Sequence, residues 1–173
     1  YGNTDFVIKF KNEFIKIIEN SIINQQHYKI KSSVGAGNWA NIPWIAIFDK
    51  LVTETAQNGY YPVYLFCEDM NGFYLSLNQG VTEVSKNYKK DKKQVLKVRA
   101  ENFRAKLNVK DDFNIKDIDL KITNSQLPAK LYEYGNIYAK FYDAQNIPSS
   151  EKLIEDLNYM LELYQQLVFN DND

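Results

Sequence analysis

Tyr60-Tyr61-Pro62-Val63-Tyr64-Leu65-Phe66-Cys67 and, past Asn71-Gly72, Phe73-Tyr74-Leu75-Ser76-Leu77 decide the fold class. The first run is aromatic and β-branched, with its proline near the start, where a lost ladder hydrogen bond is tolerable. Asn58-Gly59 precedes it and Asn71-Gly72 closes a short loop, so the two runs predict an antiparallel hairpin. Working back along the chain, Trp44–Phe48 is an apolar run that reads as a buried strand. Tyr28 to Val34 alternates loosely and reads as a first strand. Leu51 to Gln57 reads as a turn or short helix. Before these, residues 4–24 carry Val7, Phe10, Phe14, Ile17, Ile18 and Ile22 at three- and four-residue steps. That is an amphipathic helix, with Asn3 or Thr4 as its cap.

Working forward, Glu83 to Leu107 reads as one lysine-rich helix. Asp111 to Thr123 alternates (Phe113, Ile115, Ile118, Leu120, Ile122) and reads as one or two strands. Tyr132 to Tyr142 includes another strand. Pro148-Ser149-Ser150 starts a long C-terminal helix with a stripe of Leu153, Leu157, Met160, Tyr164 and Leu167. Helix, strands, helix, strands, helix is an α+β order: a mostly antiparallel sheet flanked by helices, one domain over residues 1–173.

Composition narrows the function. The chain has 173 residues, 45% hydrophobic and 25% charged, ordinary for a globule, but 13 Tyr, 10 Phe and 2 Trp, so many rings carry a polar edge that needs a partner. The longest apolar runs fall far short of the roughly 20 residues of a membrane span. No signal peptide is visible, and Tyr1 in place of Met reads as a trimmed terminus. The single Cys67 excludes an internal disulfide and fits a reducing cytoplasm. Net charge is −1, yet Ser85 to Lys110 holds eight Lys and two Arg against Asp91 and Glu101, a net +8 that leaves −9 on the remainder. Such a segment is either a solvated helix face or the footprint of a polyanion.

Catalytic signatures are missing. There is no phosphate-binding G-x-x-x-x-G-K-[ST] run and no H-x-x-x-H or paired cysteines. One His and one Cys, at 27 and 67, leave no nucleophile–base triad. Asp111-Asp112, Asp117 and Asp119 cluster and Glu68-Asp69 ends a strand, but the D…E-x-K spacing of two-metal nucleases is not clear. No cofactor is expected. What remains is a glycine loop, Gly35-Ala36-Gly37-Asn38-Trp39, aromatic residues at strand edges, and a basic segment. Rings interleaved with cations can stack bases while gripping phosphates. A nucleic-acid binder and a protein-interaction domain both fit.

Ser33-Val34-Gly35-Ala36-Gly37-Asn38-Trp39-Ala40-Asn41-Ile42-Pro43-Trp44, followed by Asn58-Gly59-Tyr60-Tyr61-Pro62-Val63-Tyr64-Leu65, resembles the N-terminal DNA-binding domain of McrB-type proteins. These are GTP-dependent restriction factors that attack DNA carrying methylated cytosine. Tyr134-Gly135 and the helix ending Leu167-Val168-Phe169-Asn170 extend the similarity over nearly the whole chain. The resemblance implies a domain that binds double-stranded DNA, flips a modified cytosine such as 5-methylcytosine into an aromatic pocket, and does no catalysis itself. It further implies a downstream AAA+ GTPase domain, a separate nuclease subunit, and a phage-defence role in the cytoplasm, with no membrane. Carried over, Trp44 and Tyr134 sandwich the base, Leu65 lies beside its 5-substituent, and Tyr61 helps form the wall. The loop Gly35–Trp39 would touch DNA, although Ala36 stands where the family can carry a bulky wedge. Charge alone assigns phosphates to Lys89, Lys90, Lys92 and Lys93. The alternatives are sequence-specific binding of unmodified DNA on the same scaffold and a protein-interaction module of a restriction complex.

Overall fold

The computed structural model describes residues 2–22, 26–33, 42–124 and 128–171, of which 2–10, 128 and 171 by backbone alone. Five strands, β1 (Tyr28–Ser33), β2 (Trp44–Asp49), β3 (Tyr60–Phe66), β4 (Gly72–Gln79) and β5 (Tyr138–Asp143), form one sheet in the order β1-β2-β3-β4-β5, every neighbour antiparallel. The helices are α1 (Gly2–Ser21), α2 (Thr82–Asn87), α3 (Lys92–Arg104), α4 (Leu131–Gly135) and α5 (Ser150–Asp171). The α+β class and the β3–β4 hairpin stand as the sequence predicts.

Every residue of β3 is buried, because both faces of the sheet are covered. Tyr60, Pro62, Tyr64 and Phe66 face α1 and α5: Phe14 meets Tyr64 edge-on at 4.7 Å, and Tyr164 meets Tyr60 at 5.9 Å. Aromatic pairs in this geometry add to what area burial alone supplies. Tyr61, Val63 and Leu65 point the other way, toward α4 and the segment before it. The two layers are tied by buried polar groups. Ser76 donates to Asn136 Oδ1 at 2.7 Å, and Asn78 Nδ2 donates to the Tyr132 carbonyl at 2.9 Å. α3 closes one end of the sheet, where Gln79 Nε2 reaches the Leu96 carbonyl at 3.1 Å and Phe103 packs 5.0 Å from Tyr60.

Three expectations are corrected. α1 starts at Gly2, so Asn3 and Thr4 lie within its first turn rather than capping it. The basic stretch is two helices, α2 and α3, separated at Tyr88–Asp91. Between the buried Val84 and the half-buried Val95 no hydrophobic side chain packs against the core, and Tyr88 is 41% exposed. With no apolar face to hold it, a run of like charges gains little from staying helical. Residues 111–123 are not strands: Asp111–Phe113 is a single 3-10 turn, and among the described residues one bridge, Ile115 to Ala139, is the only ladder contact of the segment. Side chains satisfy its backbone instead. Asn136 Nδ2 donates to the carbonyls of Ile115 and Lys116, and Glu133 accepts from the Leu120 amide at 2.7 Å. The alternation there buries Phe113, Ile118 and Leu120 without a pairing partner. Tyr132 to Tyr142 likewise holds α4 ahead of its strand.

Candidate nucleic-acid interface

β2 opens on Trp44, half-buried at the rim of the sheet. The Pro43 carbonyl accepts from the Phe66 amide at 3.1 Å and anchors the approach to it. Trp44 pairs with Ser33 on β1 and Leu65 on β3; Leu65 pairs with Tyr74, and Tyr74 with Phe141. Directly opposed residues share a face, so Trp44, Leu65, Tyr74 and Phe141 make one row across the sheet. Leu65 is 1% exposed and Phe141 42%. Phe141 meets Tyr74 edge-on at 5.0 Å, lying over Gly72, where an added Cβ would come 2.4 Å from its ring.

The segment around Asp119 to Thr123 crosses this end of the sheet. The Leu120 carbonyl accepts from the Glu68 amide at 2.8 Å, and the Asp119 amide donates to the Tyr74 hydroxyl at 3.3 Å. Lys121 sits in the left-handed region at φ 58° and pairs with Asp119 at 3.1 Å. That contact holds the Asp119 carboxyl below its usual range, chiefly through hydrogen bonds from the Lys121 amide and ammonium. Cys67 beside it is a poor nucleophile, because burial pushes its thiol up to about 12.

Tyr61 shares the face of Leu65, four residues earlier on β3. It is fully buried, its ring edge-on to Phe48 at 4.9 Å and its hydroxyl donating to the Ala56 carbonyl at 2.8 Å. Tyr134 has other surroundings. Lys93 Nζ lies 4.6 Å over its ring centroid and Lys97 Nζ 5.8 Å, and the ring lines a cleft of about 320 Å³ with Val98, Arg104 and Asp117. The carbonyl of the neighbouring Gly135 accepts from Gln79 Nε2 at 3.1 Å. The preceding Glu133 accepts from the Leu120 amide at 2.7 Å, so α4 runs from Gln79 to the segment that crosses the Trp44 end. The structure therefore brings Trp44 and Leu65 together, puts Tyr61 deeper on the same face, and groups Tyr134 with the cationic helix. Gly35, Ala36, Gly37, Asn38 and Trp39 lie outside the described residues.

The basic segment divides by role. Lys89, Lys90 and Lys93 are exposed and Lys92 half-buried, and among the described residues no carboxylate pairs with them. Arg104 is structural: Nε donates to the Ile137 carbonyl at 2.7 Å and Nη2 to that of Asn136 at 2.8 Å. A charge count cannot separate the two kinds. Among the described residues no group of three His, Cys, Asp or Glu could hold a metal ion, and no helix is long and apolar enough to cross a membrane.

The family model of the MrcB-like N-terminal domain matches residues 2–169. The chain belongs to that family. No curated protein matches the sequence. As an MrcB-like N-terminal domain, it is a restriction-related DNA-binding domain of the McrB type rather than a catalytic one. Tyr74, Phe141 and Lys121 were not singled out by the sequence. Tyr74 and Phe141 join Trp44 through strand register, which depends on pairings that periodicity does not specify.

Proposed function

We propose that this MrcB-like domain reads modified cytosine in duplex DNA, accepting the extruded base against the Trp44 indole with Leu65 beside its 5-substituent. The observation that carries the reading is Trp44 itself: a half-buried indole at a strand start, next in register to Leu65, in a chain of this family. Extrusion costs a few kcal/mol of lost stacking. One ring face returns about 1–3 kcal/mol, and a methyl group against Leu65 adds about 0.8 kcal/mol. Those terms are close enough in size for a single methyl group to tilt the balance. Lys89, Lys90, Lys92 and Lys93 supply sequence-independent attraction to the backbone. A downstream AAA+ GTPase and a separate nuclease subunit complete the restriction system in this reading, and the domain acts in the cytoplasm.

The test is binding to matched duplexes bearing cytosine, 5-methylcytosine, 5-hydroxymethylcytosine or N4-methylcytosine. The expected outcome is tighter binding to one or more modified duplexes, with the preference lost in Trp44→Ala. Equal affinity for all four removes modification reading and leaves a binder of unmodified DNA. Tyr134→Ala decides the second ring. Loss of preference there as well assigns Tyr134 to the sandwich, whereas a uniform loss on all duplexes assigns it to holding Lys93 and Lys97.

A further inference from the structure

β1 carries Lys29 and Lys31, and its register decides where they stand. Ser33 is opposite Trp44, Lys31 opposite Ala46, and Lys29 opposite Phe48. These three residues of β1 therefore share the face of Trp44 and Leu65. Tyr28 turns to the other face, where its ring stacks 6.4 Å from Tyr164. Lys31 is exposed and Lys29 half-buried. Among the described residues neither has a carboxylate partner. Two residues of strand separate their Cα atoms by about 6.6 Å. Lys121 also stands at this end of the sheet, but Asp119 already neutralises it.

Along β1, Lys31 stands two residues from the Trp44 row, about 6.6 Å, and Lys29 four residues, about 13 Å. Extruding a nucleotide turns it about its own backbone, so the phosphates on either side are drawn to the rim of whichever slot takes the base. A cation at that rim favours the extruded state over the stacked one.

We propose that Lys29 and Lys31 hold successive DNA phosphates beside the Trp44 slot and thereby favour extrusion, a role that rests on the base-reading function proposed above. The competing role for lysines on an edge strand is to block pairing with a second chain. The experiment compares the whole domain with Lys29→Gln/Lys31→Gln and with Trp44→Ala on duplexes carrying cytosine or 5-methylcytosine, titrated between 50 and 200 mM salt. A duplex with 2-aminopurine next to the modified cytosine reports unstacking by fluorescence, and sedimentation reports association state. In Lys29→Gln/Lys31→Gln the slope of log K against log salt on the modified duplex is expected to fall by about 1.8. The 2-aminopurine signal should fall too, and the unmodified duplex should lose less affinity. Trp44→Ala should lose the preference with its slope intact. An unchanged slope and 2-aminopurine signal, with the wild-type preference still present, overturn the proposal and leave base reading standing. Self-association of the double variant with an unchanged slope overturns it in favour of edge protection. A wild-type domain that neither prefers the modified duplex nor unstacks the target overturns both.

Discussion

Gly135 shows how narrowly the polar layer under α4 is built. A Cβ there would stand 2.7 Å from Asn78 Oδ1, the atom that accepts the Gln79 amide at 2.7 Å. Asn78 also donates to Ser76 and to the Tyr132 carbonyl, and Gln79 to the Gly135 carbonyl, so one methyl group presses on every bond between β4 and α4. Gly135→Ala is expected to cost about 1–3 kcal/mol, read as a fall of several degrees in thermal midpoint. An unchanged midpoint means that the network gives way freely and does not fix α4. Tyr64 is the opposite case. Among the described residues its buried hydroxyl has no partner, and burial first, with the Asp156 carboxylate second, pushes its pKa up, so it stays a neutral phenol that serves by its ring.

At the scale of elements, α2 and α3 make a jointed cationic arm, held by Val84 on one side of the joint and by Leu96, Ala100, Phe103 and Arg104 on the other. If its lysines only hold the backbone, Lys89→Gln, Lys90→Gln, Lys92→Gln and Lys93→Gln together weaken modified and unmodified duplexes by the same factor. The log–log salt slope falls by up to about 3.6. Retention of wild-type affinity across 50 to 200 mM salt excludes the arm from the interface. The joint at Tyr88–Asp91 was illegible in the sequence because composition reports helix propensity, whereas continuity depends on a buried face that Val84 and Leu96 do not extend toward each other. The strands of 111–123 misled for a related reason: alternation records burial of Phe113, Ile118 and Leu120, not the presence of a partner strand. β3 and β4 were legible because composition, turn residues and a short loop agreed on one pairing.

Across the whole molecule, the Trp44 and Leu65 pairing followed from the sequence only through resemblance, and the place of Lys29 and Lys31 could not be read at all. Their side is fixed by register with β2, which distant packing decides. Charge was legible as a sum and less so as an arrangement, since Arg104 is consumed by carbonyls. The arrangement still has a consequence that net charge conceals. The domain carries +8 over 85–110 and −9 elsewhere. At 0.1 M salt the Debye length is about 10 Å, so DNA meeting the arm senses little of the acidic remainder. At 0.01 M it is about 30 Å, comparable with the domain itself, and the remainder repels the same DNA. Log affinity should therefore rise linearly as salt falls from 200 toward 50 mM and then flatten toward 10 mM, departing from the single slope of simple counterion release. Titrations at five or six ionic strengths measure the curve, and a straight line down to 10 mM shows that the acidic remainder takes no part in the encounter.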